Sequence, residues 1–195
     1  MGFVTPSIRI FPLWFSPRIN QKLFKERSVE SIFHAKDVLS DQLLANANDP
    51  SWYIPFSDSV ENLSEEEAFW KPTEYSHSIA EIVQHLLYWN EAWQIRYQKS
   101  HVDAVPSIGN NDKSFIVSEN QKFHDLKERL LEVLLQWQDL LTEEKVESDV
   151  NGFRVSAKWW QILGNASTHN AYHIGQIIYI RKLQKSWKVD AAKEE

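Results

Sequence analysis

From Ser78 to Gln98 the sequence runs SIAEIVQHLLYWNEAWQIRYQ, and its apolar residues recur every three or four positions. Ile79, Ile82, Val83 and Leu86 make one stripe, the period of an amphipathic helix rather than of a strand. Ser78 stands at the N-cap position, and Glu81 three residues later completes a capping box. Three more segments share the period. Val29 to Ala47 carries Ile32, Ala35, Leu39 and Leu43, then stops at the breaker cluster Asn46, Asn48, Asp49, Pro50. Ser118 to Leu141 carries Phe123, Leu126, Leu130, Val133, Leu134 and Trp137, and Ser156 to Leu183 contains WWQILGNASTHNAYHIGQIIYIRKL. With 5 Gly and no alternating Val, Ile and Thr between regular turns, strands have no signal. The sequence predicts an all-α four-helix bundle with a long loop between the first two helices. That loop, Ser51 to Tyr75, is rich in aromatic residues and carries a short predicted helix over Ser64–Trp70, started by the Ser64 cap and Glu65, Glu66 and Glu67. Its length leaves up-down-up-down connectivity open. Residues 101–115, with Pro106, Gly109 and two Asn, read as a loop.

The 195 residues suit one domain. We place the bundle at 29–187, an N-terminal arm at 1–28 and a C-terminal tail at 188–195. The arm is basic (Arg9, Arg18, Lys22, Lys25, Arg27), and Arg9, Pro12 and Pro17 interrupt its apolar middle, so it does not read as a secretory leader. No uninterrupted apolar run reaches about 18 residues, so no bilayer span and no membrane partner are expected. With 21 Lys and Arg against 27 Asp and Glu, the net charge of −6 repels phosphate backbones, so no nucleic-acid partner is expected either. A cytoplasmic protein is the expectation. The chain has no Cys, which excludes disulfides, thiolate ligands and a protein thiol nucleophile. Any metal must then sit on His and carboxylates.

Of 7 His, only His169 and His173 are four apart, one turn along the same helical face. That spacing lets two imidazoles hold one ion. The face runs Ile162, Ala166, His169, His173, Gln176 or Ile177, and Ile180, toward the bundle interior. His85 follows Ile82 on the inner stripe of the second helix. Two facing helices can therefore deliver three imidazoles to one point, as bundles do when they build internal metal sites. Periodicity leaves open whether the three converge or are separate core histidines. Three nitrogen ligands would leave a coordination position open, the catalytic rather than the structural pattern. Asn170 and Ala171 follow His169 where a zinc protease has the Glu of H-E-x-x-H, so that chemistry is disfavoured. A carboxylate-bridged di-iron site needs two Glu-x-x-His pairs, and only Glu74 with His77 has that spacing, ahead of the helix.

Trp70, Lys71 and Pro72, the segment SHSIAEIVQHLLYW from Ser76, and HNAYHIGQIIYIRK from His169 together resemble the DinB-like superfamily of YfiT-type metal-binding four-helix bundles. The likeness covers about Val29 to Trp187, and Gly175, Gln176 and Arg181 fit its H-x-G-Q-x-x-x-x-R ending. It implies His85, His169 and His173 as ligands of one divalent metal ion, zinc or nickel, and a homodimer. It also implies a small-molecule substrate and, as in characterised relatives, transfer of a low-molecular-weight thiol of the bacillithiol type. A metal-dependent hydrolase and a non-catalytic metal-binding or small-molecule-binding bundle are the alternatives. The sequence names no catalytic side chain; the reacting group would be a metal-bound water or a thiolate, both made nucleophilic near neutral pH. Without a cysteine in the chain, the sulfur would come from a thiol cosubstrate.

Around this centre, Gln176 lies one turn past His173 and is expected to bond a metal-bound water or the substrate. Trp52 and Tyr53 are expected to wall the pocket. Trp89 and Trp93, at helical spacing, read as core, and Tyr172 as facing a neighbouring helix or a dimer partner. His34, His77, His101 and His124 belong to no such cluster and read as surface or hydrogen-bonded histidines.

Overall fold

The computed structural model describes residues 34–187. The N-terminal arm, the predicted first turn from Val29 and the tail at 188–195 lie outside the described residues. Seven α-helices occur within the described chain: α1 (Ala35–Ala47), α2 (Phe56–Ser59), α3 (Glu65–Phe69), α4 (Ile79–Lys99), α5 (Phe123–Leu140), α6 (Glu143–Val146) and α7 (Trp159–Leu183). Two short 3-10 turns, Val102–Ala104 and Asn111–Phe115, interrupt the segment read as plain loop. No named strand occurs among the described residues, and the all-α expectation holds.

The four long helices α1, α4, α5 and α7 form the bundle. Helix α4 packs on α5 and α7, and α1 packs on the same two, so α1 and α4 stand at opposite corners. Helices adjacent in the bundle sequence are therefore not adjacent in space at this step. The long connection carrying α2 and α3 makes the crossing; α2 touches α1 and α7, and α3 touches α4 and α5. Its length serves that crossover, which a short turn could not make.

Helix α4 begins as the sequence predicts. The Ser78 hydroxyl accepts the Glu81 N–H, and the Glu81 carboxylate accepts the Ser78 N–H at 2.8 Å. Ser64 and Glu67 repeat the device at α3. Helix α5, in contrast, starts at Phe123, five residues after the predicted Ser118. Its first donors are satisfied from another element: the Glu65 carboxylate accepts the Phe123 N–H at 2.9 Å and the His124 N–H at 3.1 Å. Those two bonds hold the carboxyl of Glu65 below its usual pKa. A cap supplied 58 residues away leaves no local signature.

The core has two parts. One joins Ile79, Val83 and Leu86 of α4 to Leu126, Leu130 and Leu134 of α5 and Ile174 and Ile177 of α7. The other gathers Leu39 and Leu43 of α1 around Tyr97, Trp137, Trp159 and Leu163. Each fully buried aliphatic side chain of this kind contributes about 1.5–3 kcal/mol relative to exposure. The packing holds α4 against α7, the pair that carries the histidines.

Candidate metal centre

His85 points from the middle of α4 and is 2% exposed, while His169 and His173 come from successive turns of α7, half-buried and buried respectively. The three imidazoles meet. Ring centroids are separated by 4.6 Å for His169 and His173, 4.7 Å for His85 and His173, and 5.0 Å for His85 and His169. One nitrogen from each lies within 4.8 Å of the others, and the Nε2 atoms of His85 and His169 are 3.0 Å apart. Nitrogens sharing one tetrahedral ion at about 2.0–2.1 Å stand about 3.3 Å apart, so the spacing suits a common ligand.

Hydrogen bonds decide which nitrogens face inward. The Ser114 hydroxyl gives its only proton to the Asn111 carbonyl, so it must accept from His85 Nδ1 at 2.6 Å. That fixes the N–H on Nδ1 and leaves the Nε2 lone pair bare. His173 Nδ1 donates to Gln176 Oε1 at 2.7 Å, with the same result. Metal-ligating histidines have this form, with the far nitrogen held by a polar partner. Gln176, singled out in the sequence as a group around the metal centre, thus orients His173. Ser114 escaped the sequence reading altogether.

Electrostatics keep the rings neutral. Burial, reinforced by its neighbours His173, His169 and His77, pushes the pKa of His85 down to about 3. Burial and His173 lower His169 to about 4. His173 is lowered by burial, with Gln176 opposing. Three neutral imidazoles, of which His85 and His173 present bare Nε2 atoms and His169 brings Nε2 to 3.0 Å from that of His85, with no lining carboxylate, fit a borderline divalent ion that takes the place of the shared proton.

Rings also hold the site in place. Phe115 stacks on His85 with centroids 3.9 Å apart and planes 10° from parallel, and His77 stacks on the other face of Phe115 at 3.9 Å. The turn Asn111–Phe115 therefore clasps His85 twice, through the Ser114 hydroxyl and through the Phe115 ring. His77 belongs to this stack, which its sequence position did not reveal.

The histidines open onto a cavity of about 440 Å³. Trp89, Trp93, Phe115 and Ile162 form its apolar walls, with Asn90 and Asn170 beside the imidazoles. The two asparagines are buried and bonded to each other: Asn90 Nδ2 donates to Asn170 Oδ1 at 2.9 Å, and Asn90 Oδ1 accepts from Trp137 Nε1 at 3.1 Å. This network ties α4, α5 and α7 together under the cavity. Of the two tryptophans expected in the core, Trp93 packs against the second core cluster while also facing the cavity, whereas Trp89 is a half-buried cavity wall. The reverse holds for Trp52 and Tyr53, which are not among the cavity's lining residues. Trp52 donates to Asp41 at 3.1 Å and Tyr53 to Asn46 at 2.9 Å, so both serve to pin the α1–α2 connection onto α1. Tyr172 is 63% exposed, with its ring edge against His173.

The model of the DinB superfamily matches residues 56–177, which include all three histidines. The chain belongs to the DinB superfamily. Among solved structures, the DinB-like protein YjoA of Bacillus subtilis superposes with a TM-score of 0.60 at 15% identity, covering 81% of this chain and 99% of its own. YfiT of Bacillus subtilis superposes at 0.58 and 14% identity, over 84% of this chain and 95% of its own. YfiT is described as a probable metal-dependent hydrolase with an unusual four-helix bundle topology. No curated protein matches the sequence. In this DinB chain α1 and α4 lie diagonally across the bundle, a departure from simple up-down-up-down packing. Arg181, in the superfamily-like ending, is buried and structural: its guanidinium donates to the Ser59 carbonyl at the end of α2 and to the Ser186 carbonyl.

Proposed function

We propose that this DinB protein is a metal-dependent enzyme that holds one divalent ion, zinc or nickel, on His85, His169 and His173 and transfers a low-molecular-weight thiol to an electrophilic small molecule. The observation that carries the reading is the union of three neutral, converging imidazoles with a cavity whose lining has no Asp, Glu, Lys or Arg. A bound divalent ion would supply Lewis acidity there, lowering the pKa of a coordinating thiol or water. A thiol needs little beyond that, because a thiolate is nucleophilic without a general base. A coordinated water would be activated in the same way, but an ester or amide leaving group also needs a proton, and the cavity lining holds no Asp, Glu or Lys to deliver one.

In this reading the chain's residues bind and orient. His85 is fixed by Ser114 and Phe115, and His173 by Gln176. Trp89, Trp93 and Ile162 offer apolar contact to the electrophile and exclude water. The thiol brings the sulfur that a cysteine-free chain lacks.

The likeness to YfiT favours a second reading, a metal-dependent hydrolase. We take residues 29–187 as the functional unit and the protein as a cytoplasmic homodimer. Tyr172, Tyr179 and Leu183, exposed at helical spacing on α7, support the dimer. No described helix is long and apolar enough to cross a membrane. The test is conjugation of a model electrophile to bacillithiol by metal-loaded protein, alongside an ester and amide panel without thiol. Conjugation supports transfer, thiol-independent turnover supports hydrolysis, and bound metal with neither leaves a binding bundle.

A further inference from the structure

Trp89 and Trp93 wall more than the cavity at the histidines. They also line a second cavity of about 380 Å³, formed with the turn Val102–Ala104 and residues 152–154. The two spaces therefore share the two indoles as a common wall, but their chemistry differs. The first has no charged lining residue, whereas Arg96 and Arg154 line the second.

Arg96 is an unusual cation. It is 8% exposed, its Nε donates to the Val102 carbonyl at 2.8 Å and its Nη2 to the Val105 carbonyl at 3.0 Å, and its guanidinium lies 4.7 Å over the Trp93 ring. No carboxylate pairs with it among the described residues. Burying a guanidinium without a counter-ion is costly, and burial indeed lowers its pKa, with Tyr88 and Asp103 opposing. Arg154 is exposed and has no hydrogen bond or ion pair to another described residue. Asp103 lines the same cavity, but its side chain is 83% exposed and its carboxylate lies 3.9 Å from His101. Two cations against one solvated carboxylate leave the cavity positive.

The wall bearing Arg154 is built rather than incidental. Val102 N–H donates to the Asn151 carbonyl at 3.0 Å, and the Asn151 side chain donates to the Ser100 carbonyl. Gly152 follows with φ +84°, and a Cβ there would stand 2.6 Å from His101 Cε1. Only glycine lets the strap lie this close to the end of α4.

We propose that this second cavity is an anion subsite, which takes the carboxylate of an elongated, partly apolar reactant whose reactive end reaches the histidines across Trp89 and Trp93. A carboxylate there supplies the counter-ion that Arg96 lacks, and a guanidinium fork matches its geometry. The inference rests on reading the neighbouring cavity as the reaction chamber, but it requires no bound metal. The anion belongs either to the thiol or to the electrophile.

Calorimetry on metal-free protein with 4-phenylbutyrate and the isosteric alcohol 4-phenylbutanol tests it. The acid binds at least about tenfold tighter than the alcohol, the weight of one charge-assisted hydrogen bond. Arg154→Gln cuts that preference to within about threefold without changing alcohol binding, whereas Lys182→Gln, a charge removed from the far end of α7, leaves it intact. Equal binding of acid and alcohol, or a preference untouched by Arg154→Gln, overturns the subsite. With metal-loaded protein, Arg154→Gln raises KM for whichever reactant carries the carboxylate. Absence of any thiol conjugation counts against the proposed reaction and not against the subsite, which the metal-free titration decides.

Discussion

His85 Nδ1 stands 2.6 Å from Ser114 Oγ, and because that hydroxyl spends its proton on the Asn111 carbonyl, the histidine is held as the tautomer with Nε2 bare. A serine 29 residues away on a 3-10 turn thus determines how a helix residue addresses an ion. Ser114→Ala is expected to weaken metal affinity by about 10–100-fold, the usual effect of losing a ligand's polar partner, with helicity unchanged. Chelator competition measures this directly. An unaltered affinity would show that Phe115 alone positions the ring.

Gln176 plays the matching part for His173, from one turn further along α7. It is half-buried, so water replaces its carbonyl more readily than it replaces Ser114. Gln176→Ala is expected to cost affinity at the low end, about tenfold. A larger loss than that of Ser114→Ala would contradict the ranking.

Acid should loosen the start of α5. The folded-state pKa of Glu65 is depressed by the Phe123 and His124 N–H bonds. Its contribution is therefore present above the unfolded carboxyl pKa and lost as pH falls through the lower folded value. Glu65→Gln is expected to destabilise the protein by about 1 kcal/mol at pH 7, as removal of an N-cap does. Denaturant melts of the two proteins should then converge as pH falls from the ordinary carboxyl range through the lower folded value, where the wild-type carboxylate is itself protonated.

Gly152→Ala places a Cβ against His101 and Val102 at a positive φ. A loss of about 1–3 kcal/mol is expected, the range for strained backbone. The same change should weaken 4-phenylbutyrate binding, because the strap that carries Arg154 must move. Loss of stability with carboxylate binding intact would separate the strap from the subsite.

What local pattern encodes was legible in the sequence, and what tertiary contact encodes was not. The capping box of Ser78 and Glu81 announced α4, and helical spacing put His85, His169 and His173 on inward faces. The start of α5 leaves no local signal because its cap comes from Glu65. Trp89 and Trp93 share the α4 stripe's spacing with core residues, and periodicity cannot tell a core from a cavity wall. Trp52 and Tyr53 are loop aromatics whose polar ends bond to Asp41 and Asn46 on α1, contacts that no local pattern announces. Asn90 and Asn170 carried no signal, since their pairing joins helices 80 residues apart.

The central claim is that three histidines from two helices hold one divalent ion. Elemental analysis of protein reconstituted with equimolar zinc, nickel and cobalt, then gel-filtered, tests it most directly. The account predicts about one ion per chain in the wild type, and close to none in His85→Ala, His169→Ala and His173→Ala proteins that keep their helical circular dichroism. Wild-type protein emerging without metal, or a triple histidine variant that retains one ion per chain, would contradict it.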